Sequence, residues 1–142
     1  MKKIISVLTA ALLLTVLCMS GCSDFGFNPI GDWHYVEEKT FKNDQLTNTT
    51  PAGLNPFDKN VVLHFGKSGT GTIGNTKTAQ TFTYEYDSNS VTISGQGRMG
   101  NNFCIVYEVR ENGNALVRVE NSDVIDADGK TVKTRTEAIF RR

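Results

Sequence analysis

The chain contains two histidines, His34 and His64, the residue type that most often acts as a general base or metal ligand near neutral pH. Alternation along the predicted strands places His34 opposite Trp33, and His64 opposite Leu63 and Phe65. Both imidazoles should therefore face solvent. No neighbouring residues have metal-ligand spacing. The sequence predicts no metal site and no catalytic residue.

Two short segments have the spacing of ligand-binding loops. Asp126-Ala127-Asp128-Gly129 is similar to part of a calcium loop, but Arg135 stands where that loop needs a glutamate. Gly95-Gln96-Gly97-Arg98-Met99-Gly100 has the spacing of a nucleotide-binding turn, but it joins two predicted strands and opens no helix. We interpret both segments as turns and expect no cofactor.

The three cysteines, Cys18, Cys22 and Cys104, do not predict a disulfide framework. Cys104 lies in the apolar run Phe103–Tyr107, where an unpaired thiol usually behaves as a small buried hydrophobe. No setting for a nucleophile accompanies it, and no Gly-x-Ser-x-Gly elbow occurs in the chain. An enzymatic function is therefore not expected.

Beyond Gly31 the apolar residues alternate with polar ones, and no stretch repeats with the helical period of 3.6. Asn112-Gly113 between two such runs is a strong hairpin signal, because both residues tolerate positive φ. Eight strands are predicted, at about Asp32–Thr40, Val61–Phe65, Thr70–Ile73, Gln80–Asp87, Val91–Ile93, Phe103–Arg110, Ala115–Glu120 and Val132–Arg141.

An open sheet of eight antiparallel strands would leave two edges unpaired and one apolar face uncovered. Closure solves both problems, so the predicted fold is all-β, an eight-stranded antiparallel up-and-down barrel. The residues predicted to point inward are Trp33, Tyr35, Val61, Leu63, Phe65, Phe82, Tyr84, Tyr86, Val91, Ile93, Phe103, Ile105, Tyr107, Val109, Val117, Val119, Ala138 and Phe140.

The first residues have a different composition from the rest of the chain. Met1-Lys2-Lys3 is followed by a short apolar run that ends in Ser20-Gly21 just before Cys22. A membrane-spanning helix usually needs about 20 apolar residues, so residues 1–21 are predicted to be a cleaved signal peptide. An uncleaved apolar helix and simple secretion are the alternatives.

Met19-Ser20-Gly21-Cys22 resembles the lipobox of bacterial lipoproteins, in which the cysteine thiol receives a diacylglycerol and becomes the first mature residue. The resemblance implies that Cys22 is the lipid attachment site and that residues 22–30 form an acylated tether. It also implies a lipid-anchored, extracytoplasmic protein at the cell membrane or outer membrane. Ser23 is not the aspartate that resembles an inner-membrane retention signal.

Residues 22–142 contain 13 basic and 15 acidic residues, for a net charge of −2. This charge gives no electrostatic reason to expect a nucleic-acid partner. A chain of this length forms one modest core, so residues 31–142 are predicted to be one barrel domain.

Gly31-Asp32-Trp33, followed by the eight-strand pattern, resembles the start of lipocalins. Phe65-Gly66-Lys67-Ser68-Gly69-Thr70-Gly71 is similar to a hairpin of small lipocalin-like domains in bacterial lipoproteins. The resemblance implies that Gly31 and Trp33 close one barrel end, with Arg141 or Arg142 packed across the indole; Arg142 shares the strand parity of Phe140. The Thr-Asp-x-x-Tyr motif of true lipocalins is absent, which favours the looser lipocalin-like group.

The polar passage from Lys42 to Asn60 occupies the place of the long first loop of lipocalins. Its apolar residues, Leu46, Leu54 and Phe57, suggest a lid over the barrel mouth. The alternative is a mobile or locally hairpinned loop that Pro51 and Pro56 keep out of the sheet.

The leading hypothesis is a membrane-tethered module that binds a small apolar or amphipathic ligand at the barrel mouth. The predicted ligand-binding residues are the aromatic lining and two loop residues: Tyr35, Tyr84, Tyr86, Phe103, Tyr107, Leu54 and Phe57. The alternative is a solid barrel that acts as a protein-interaction or inhibitor module of the cell envelope.

Overall fold

The computed structural model describes residues 26–54, 61–75 and 78–142. The predicted signal peptide, Cys22 and Phe57 lie outside these ranges. The described chain is all-β, as predicted, with one 3-10 turn at Glu111–Gly113. Its strands are β1 (Gly31–Lys42), β2 (Gln45–Pro51), β3 (Val62–Phe65), β4 (Thr70–Gly74), β5 (Gln80–Tyr86), β6 (Ser90–Gln96), β7 (Asn102–Arg110), β8 (Ala115–Ile125) and β9 (Thr131–Arg141).

The strands form one antiparallel sheet in which each strand from β3 to β9 pairs with the next. β1 pairs with β3 through Gly31–His34 and with β9 through His34–Lys42, which closes the sheet. The predicted closed barrel of eight antiparallel strands is therefore confirmed, formed by β1 and β3–β9. The Asn112-Gly113 hairpin joins β7 to β8, with Glu111, Asn112 and Gly113 all at positive φ.

A ninth strand, β2, was not predicted. It folds back on β1 within the passage that sequence patterns suggested to be a loop, and Pro51 pairs with Glu37. The interpretation that Pro51 keeps this segment out of the sheet is wrong. The Ala52 N–H donates to the Val36 carbonyl, so alternation turns the Pro51 nitrogen away from β1, where its missing N–H costs no ladder hydrogen bond.

The barrel interior holds most of the predicted core. Its buried members are Trp33, Leu63, Phe65, Phe82, Val91, Ile93, Tyr107, Leu116 and Phe140. The inward prediction for Val117 and Val119 is wrong, because Leu116 faces the core instead. Val117 packs with Ala115 and Ile139 in a separate cluster on the outer face of the sheet. Tyr86 was also predicted inside, but it is 49% exposed.

Aromatic rings alternate with glycines across five strands at one level of the barrel. The aligned residues are Phe65, Gly71, Phe82, Gly95 and Phe103. A Cβ on Gly71 would lie 2.5 Å from the Phe82 ring, and one on Gly95 would lie 2.8 Å from Phe103. The glycines therefore provide the space in which the rings lie across neighbouring strands.

Four strands continue past the point where the barrel closes. β7 pairs with β8 only as far as Val117, whereas β8 and β9 stay paired to Ile125 and Thr131. Together with β2 and the second half of β1 they form what we call the four-stranded extension, residues 37–42, 45–51, 119–125 and 131–137. Its β2 and β8 edges have no strand neighbour among the described residues.

On the outer face, where the extension begins, Glu137 is buried with 5% exposure. Its carboxylate accepts a 3.0 Å hydrogen bond from Arg110 and lies 3.3 Å from the Arg135 Nε. Arg110 also bonds to Glu108. This ionic cluster lies beside the apolar patch of Val117 and Ile139 and compensates the charge of the buried carboxylate.

Candidate ligand-binding site

One barrel end is closed by Trp33. Its side chain is fully buried, and its indole N–H donates a 2.7 Å hydrogen bond to the Pro29 carbonyl. The Phe27 ring packs on Trp33 at 6.0 Å between centroids. The Arg142 guanidinium lies on the indole, 4.4 Å from the ring centroid, and donates to the Asn28 carbonyl. Access to the interior is therefore from the opposite end.

Toward that opposite end lies a cavity of about 220 Å³, which we call the mouth cavity. Its apolar lining is formed by Val61, Ile73, Ala138 and Phe140. Its polar lining is formed by Tyr35, Glu38, Tyr107 and Arg118. An apolar cavity of about 150 Å³ holds benzene, so the mouth cavity has room for a compact organic molecule.

Strand register places three of these residues side by side. Arg118 of β8 pairs with Ala138 of β9, and Ala138 pairs with Glu38 of β1. A cation and an anion thus lie on either side of a small residue. A β-bulge between Tyr35 and Glu37 is needed for this order, since it changes the phase of β1 and brings Glu38 onto the inward face below Tyr35.

Two residues that line the mouth cavity each have a buried polar atom without a hydrogen-bond partner among the described residues: the Tyr107 hydroxyl and the Arg118 Nε. The Arg118 Nη2 lies 2.8 Å from the Glu120 carboxylate, so only its outer nitrogen is engaged. Burial raises the pKa of Tyr107 to about 12, and the nearby charge of Arg118 acts in the opposite direction. The phenol is therefore a neutral hydrogen-bond donor at physiological pH.

Only part of the predicted ligand-binding set meets at the mouth cavity. Tyr35 and Tyr107 line it, whereas Tyr84 is directed away, with its hydroxyl bonded to the Gly66 carbonyl. Tyr86 lies near the closed end against Phe27, and Phe103 is half-buried beneath Gly95. Leu54 is 73% exposed and is not part of the cavity lining. Tyr84, Tyr86, Phe103 and Leu54 therefore do not meet Tyr35 and Tyr107 at the mouth cavity.

The two charged residues of the cavity, Glu38 and Arg118, were not predicted from the sequence. In Ala115-Leu116-Val117-Arg118-Val119, both alternating sets of residues include apolar side chains. The prediction placed Val117 and Val119 inside the barrel, which put Arg118 on the outer face. Glu38 is masked by the bulge in β1, which breaks strict alternation. The sequence signal for Arg118 was its position within the otherwise apolar run from Ala115 to Val119.

A second concavity lies on the outer wall, in a groove of about 880 Å³ that is open to solvent. Its lining combines the rings of Phe82 and Phe103 with hydroxyl and amide side chains, among them Thr72 and Thr81. The His64 Nδ1 lies 2.5 Å from the Asp32 carboxylate at its margin, and both side chains are more than half exposed.

Cys104 is exposed on this side of the barrel, so the prediction of a buried thiol is wrong. It lies on β7 between Phe103 and Ile105, and alternation turns it outward. Within residues 26–54, 61–75 and 78–142, no three carboxylate, imidazole or thiol groups are clustered as a metal site would require.

No described helix is both long and apolar enough to cross a membrane. The fold and cavity define the class of the protein as a closed antiparallel β-barrel with a small internal cavity near one end. No family model, curated protein or solved structure matches the chain.

Proposed function

We propose that this protein is a lipid-anchored extracytoplasmic binding module that takes a small amphipathic molecule into the mouth cavity. The observation that carries the proposal is a pair of buried donors, the Tyr107 hydroxyl and the Arg118 Nε–H, which have no hydrogen-bond partner within the described part of the chain and belong to residues that line the cavity beside its apolar wall. A buried donor without an acceptor costs about 1–3 kcal/mol, which a ligand that supplies the acceptor recovers. Binding sites commonly combine an apolar lining with a few such polar groups.

Filling the cavity tests the binding function. Ala138→Leu adds a larger apolar side chain to the cavity lining, and Ala127→Leu makes the same change in the exposed β8–β9 turn. The protein is purified from its native membrane in mild detergent and analysed by native mass spectrometry. We expect a co-purifying small molecule with the wild type and with Ala127→Leu, and none with Ala138→Leu. Absence of such a molecule from the wild type, or its retention by Ala138→Leu, would refute the proposal.

The proposed anchor rests on the lipobox-like sequence that ends at Cys22. The described chain begins at Gly26, next to the closed end of the barrel, where Phe27 packs on Trp33. Four residues span at most about 14 Å, so an acyl group on Cys22 would hold the closed end at the membrane and leave the mouth cavity facing away from it. Two or more acyl chains on the cysteine are enough to hold a protein stably at a membrane.

Replacement of the modified cysteine tests the anchor. Cys22→Ala should shift the protein from the membrane fraction to the soluble fraction and remove the diacylglycerol mass from the N-terminal peptide. Cys18→Ala is the matched control, because Cys18 precedes the proposed cleavage point and should leave the mature protein unchanged. A membrane-bound Cys22→Ala protein without lipid would refute lipid anchoring.

A second candidate function is a protein-interaction module, favoured by the four-stranded extension. Its β2 and β8 edges pair with no further strand of the described chain, and Leu46, Val124 and Ile125 are exposed there by 55%, 51% and 73%. Such edges accept an additional strand from a partner. Val124→Lys should abolish a stoichiometric complex with an envelope protein, if one forms, and leave the mouth-cavity ligand in place; loss of both would argue against separate roles.

A further inference from the structure

The mouth cavity offers hydrogen-bond donors on one side and an acceptor on the other. The Arg118 Nε–H can only donate, and the Tyr107 hydroxyl beside it has no partner among the described residues. A ligand atom that satisfies both must be an acceptor. The Glu38 carboxylate lines the same cavity and can only accept when ionised. A ligand group that faces Glu38 must therefore donate.

The charges of Arg118 and Glu38 do not neutralise each other. The guanidinium of Arg118 pairs with Glu120, and the described residues show no ion pair between Arg118 and Glu38. Ala138 lies between them in the register and contributes only a methyl group. The two charged side chains thus flank a gap rather than close it.

The volume of the mouth cavity limits the size of the ligand. Arg118 and Glu38 lie two strand spacings apart, which is roughly 10 Å between backbones, and both line the same cavity. A cavity of about 220 Å³ holds only a compact molecule, so a ligand that meets both charged side chains must carry its anionic and cationic groups close together, as an α-amino acid does.

We propose that the mouth cavity binds a compact zwitterion of the apolar α-amino acid class. Its carboxylate accepts from Tyr107 and Arg118, its ammonium donates to Glu38, and its apolar side chain packs on Val61 and Ile73. This inference rests on the proposed binding function and specifies its ligand. A simple carboxylate would leave Glu38 without a donor and add a like charge beside it, and a simple amine would leave both buried donors unpartnered.

Four probes of nearly one shape separate these possibilities: leucine, isocaproate, which lacks the ammonium, isopentylamine, which lacks the carboxylate, and isopentanol, which lacks both. Binding to the purified full chain in detergent is measured by titration calorimetry. We expect leucine to bind at least tenfold more tightly than each of the other three, because only leucine satisfies both sides of the cavity.

Variants assign each charge of the ligand to its partner. Glu38→Gln should weaken leucine binding at least tenfold and should not weaken isocaproate binding, because it removes the like charge that opposes this probe. Tyr107→Phe and Arg118→Met should weaken leucine binding similarly and should not weaken isopentylamine binding, because this probe makes no hydrogen bond to the removed donors. The matched controls, Glu85→Gln, Tyr86→Phe and Arg98→Met, change exposed residues outside the cavity and should bind leucine as the wild type does. The emission of Trp33 verifies that each variant is folded.

The outcomes distinguish failure of the ligand class from failure of the binding function. Isocaproate, isopentylamine or isopentanol binding as tightly as leucine would overturn the zwitterion assignment and leave the binding function standing. Absence of binding by all four probes would overturn the assignment as well. The binding function itself is tested separately, and it would fail if no small molecule co-purified with the wild-type protein or if Ala138→Leu retained that molecule.

Discussion

Arg142 lies over the ring of Trp33, with its guanidinium carbon 4.4 Å from the centroid of the indole. The same guanidinium donates to the carbonyl of Asn28, so it joins the segment before β1 to the residue after β9. The indole below it is fully buried and bonded to the Pro29 carbonyl. The closed end of the barrel is therefore stabilised by contacts between the two ends of the described domain.

Removal of the Arg142 charge should weaken this closed end. We expect Arg142→Met to lower the free energy of unfolding by about 1 kcal/mol, because a cation on an indole contributes about 0.5–2 kcal/mol. Arg142→Lys should retain part of that contribution. Urea denaturation followed by the fluorescence of Trp33, the one tryptophan of the chain, measures the change. Lys67→Met, in an exposed turn, is the control, and an equal loss there would contradict the assigned contact.

A side chain at Gly71 should be poorly tolerated. A Cβ at this position would lie 2.2 Å from the His64 carbonyl oxygen and 2.5 Å from the Phe82 ring. We expect Gly71→Ala to cost about 1–3 kcal/mol or more, because the strands must separate to admit the methyl group. Gly69→Ala tests backbone strain alone, since Gly69 has a φ of 77° and nothing within 4 Å of the added atom. Thermal unfolding should show the larger loss for Gly71→Ala.

The buried carboxylate of Glu137 should contribute more to the stability of the fold than an exposed carboxylate does. Glu137→Gln leaves Arg110 and Arg135 without the anion that they share. We expect the free energy of unfolding to fall by about 1–3 kcal/mol, because the partial exposure of both arginines reduces the cost of the lost charge. Glu120→Gln breaks the 2.8 Å pair with Arg118, but the Glu120 side chain is 62% exposed and should change stability by less than about 1 kcal/mol. If urea denaturation showed equal losses of stability for Glu137→Gln and Glu120→Gln, burial of the carboxylate would not determine its contribution.

Tyr107 should make the fold sensitive to high pH. Its pKa rises to about 12 in the folded state, from 10.0 in an exposed tyrosine. Between these values the unfolded chain has lost the proton that the folded chain retains, so stability present below pH 10 decreases as the pH rises toward 12. The total change is on the order of 2–3 kcal/mol.

Tyr107→Phe isolates this effect. The variant should be at least as stable as the wild type at neutral pH without ligand, because it removes a buried hydroxyl for which the described residues provide no partner. It should also lose less stability than the wild type between pH 10 and 12, as measured by urea denaturation at each pH. Tyr86→Phe, at a 49% exposed position, should follow the wild type. A steeper loss for Tyr107→Phe would contradict the raised pKa.

Period-two patterns and one turn signal sufficed to predict the barrel. The Asn112-Gly113 turn and the alternation of Phe82 and Tyr84 are local properties, and the structure has the corresponding hairpin and inward faces. The strand β2 was missed because its sequence, Gln45–Pro51, is almost entirely polar. An edge strand outside the barrel buries little on either face, so no hydrophobic alternation marks it.

The site was less predictable than the fold. Tyr35 and Tyr107 were identified because aromatic residues on an inward face are visible in the sequence. Arg118 and Glu38 depend on the phase of β8 and on a bulge in β1, and these are determined by pairing with β9. A shift of one residue exchanges the two faces of a strand. The register between strands that are distant in the sequence therefore determines which charged side chains line the cavity.

The pairing of β9 has a consequence for the order of folding. β9 follows every other strand in the chain, yet it supplies the neighbours of both β1 and β8. His34 and Arg141, which meet at this seam, are about 100 residues apart in sequence. Chains dominated by such distant contacts fold in milliseconds to seconds rather than microseconds. During synthesis β1 therefore cannot form its pairing with β9 until β9 has been made. A chain that is still emerging can form hairpins but cannot close the barrel.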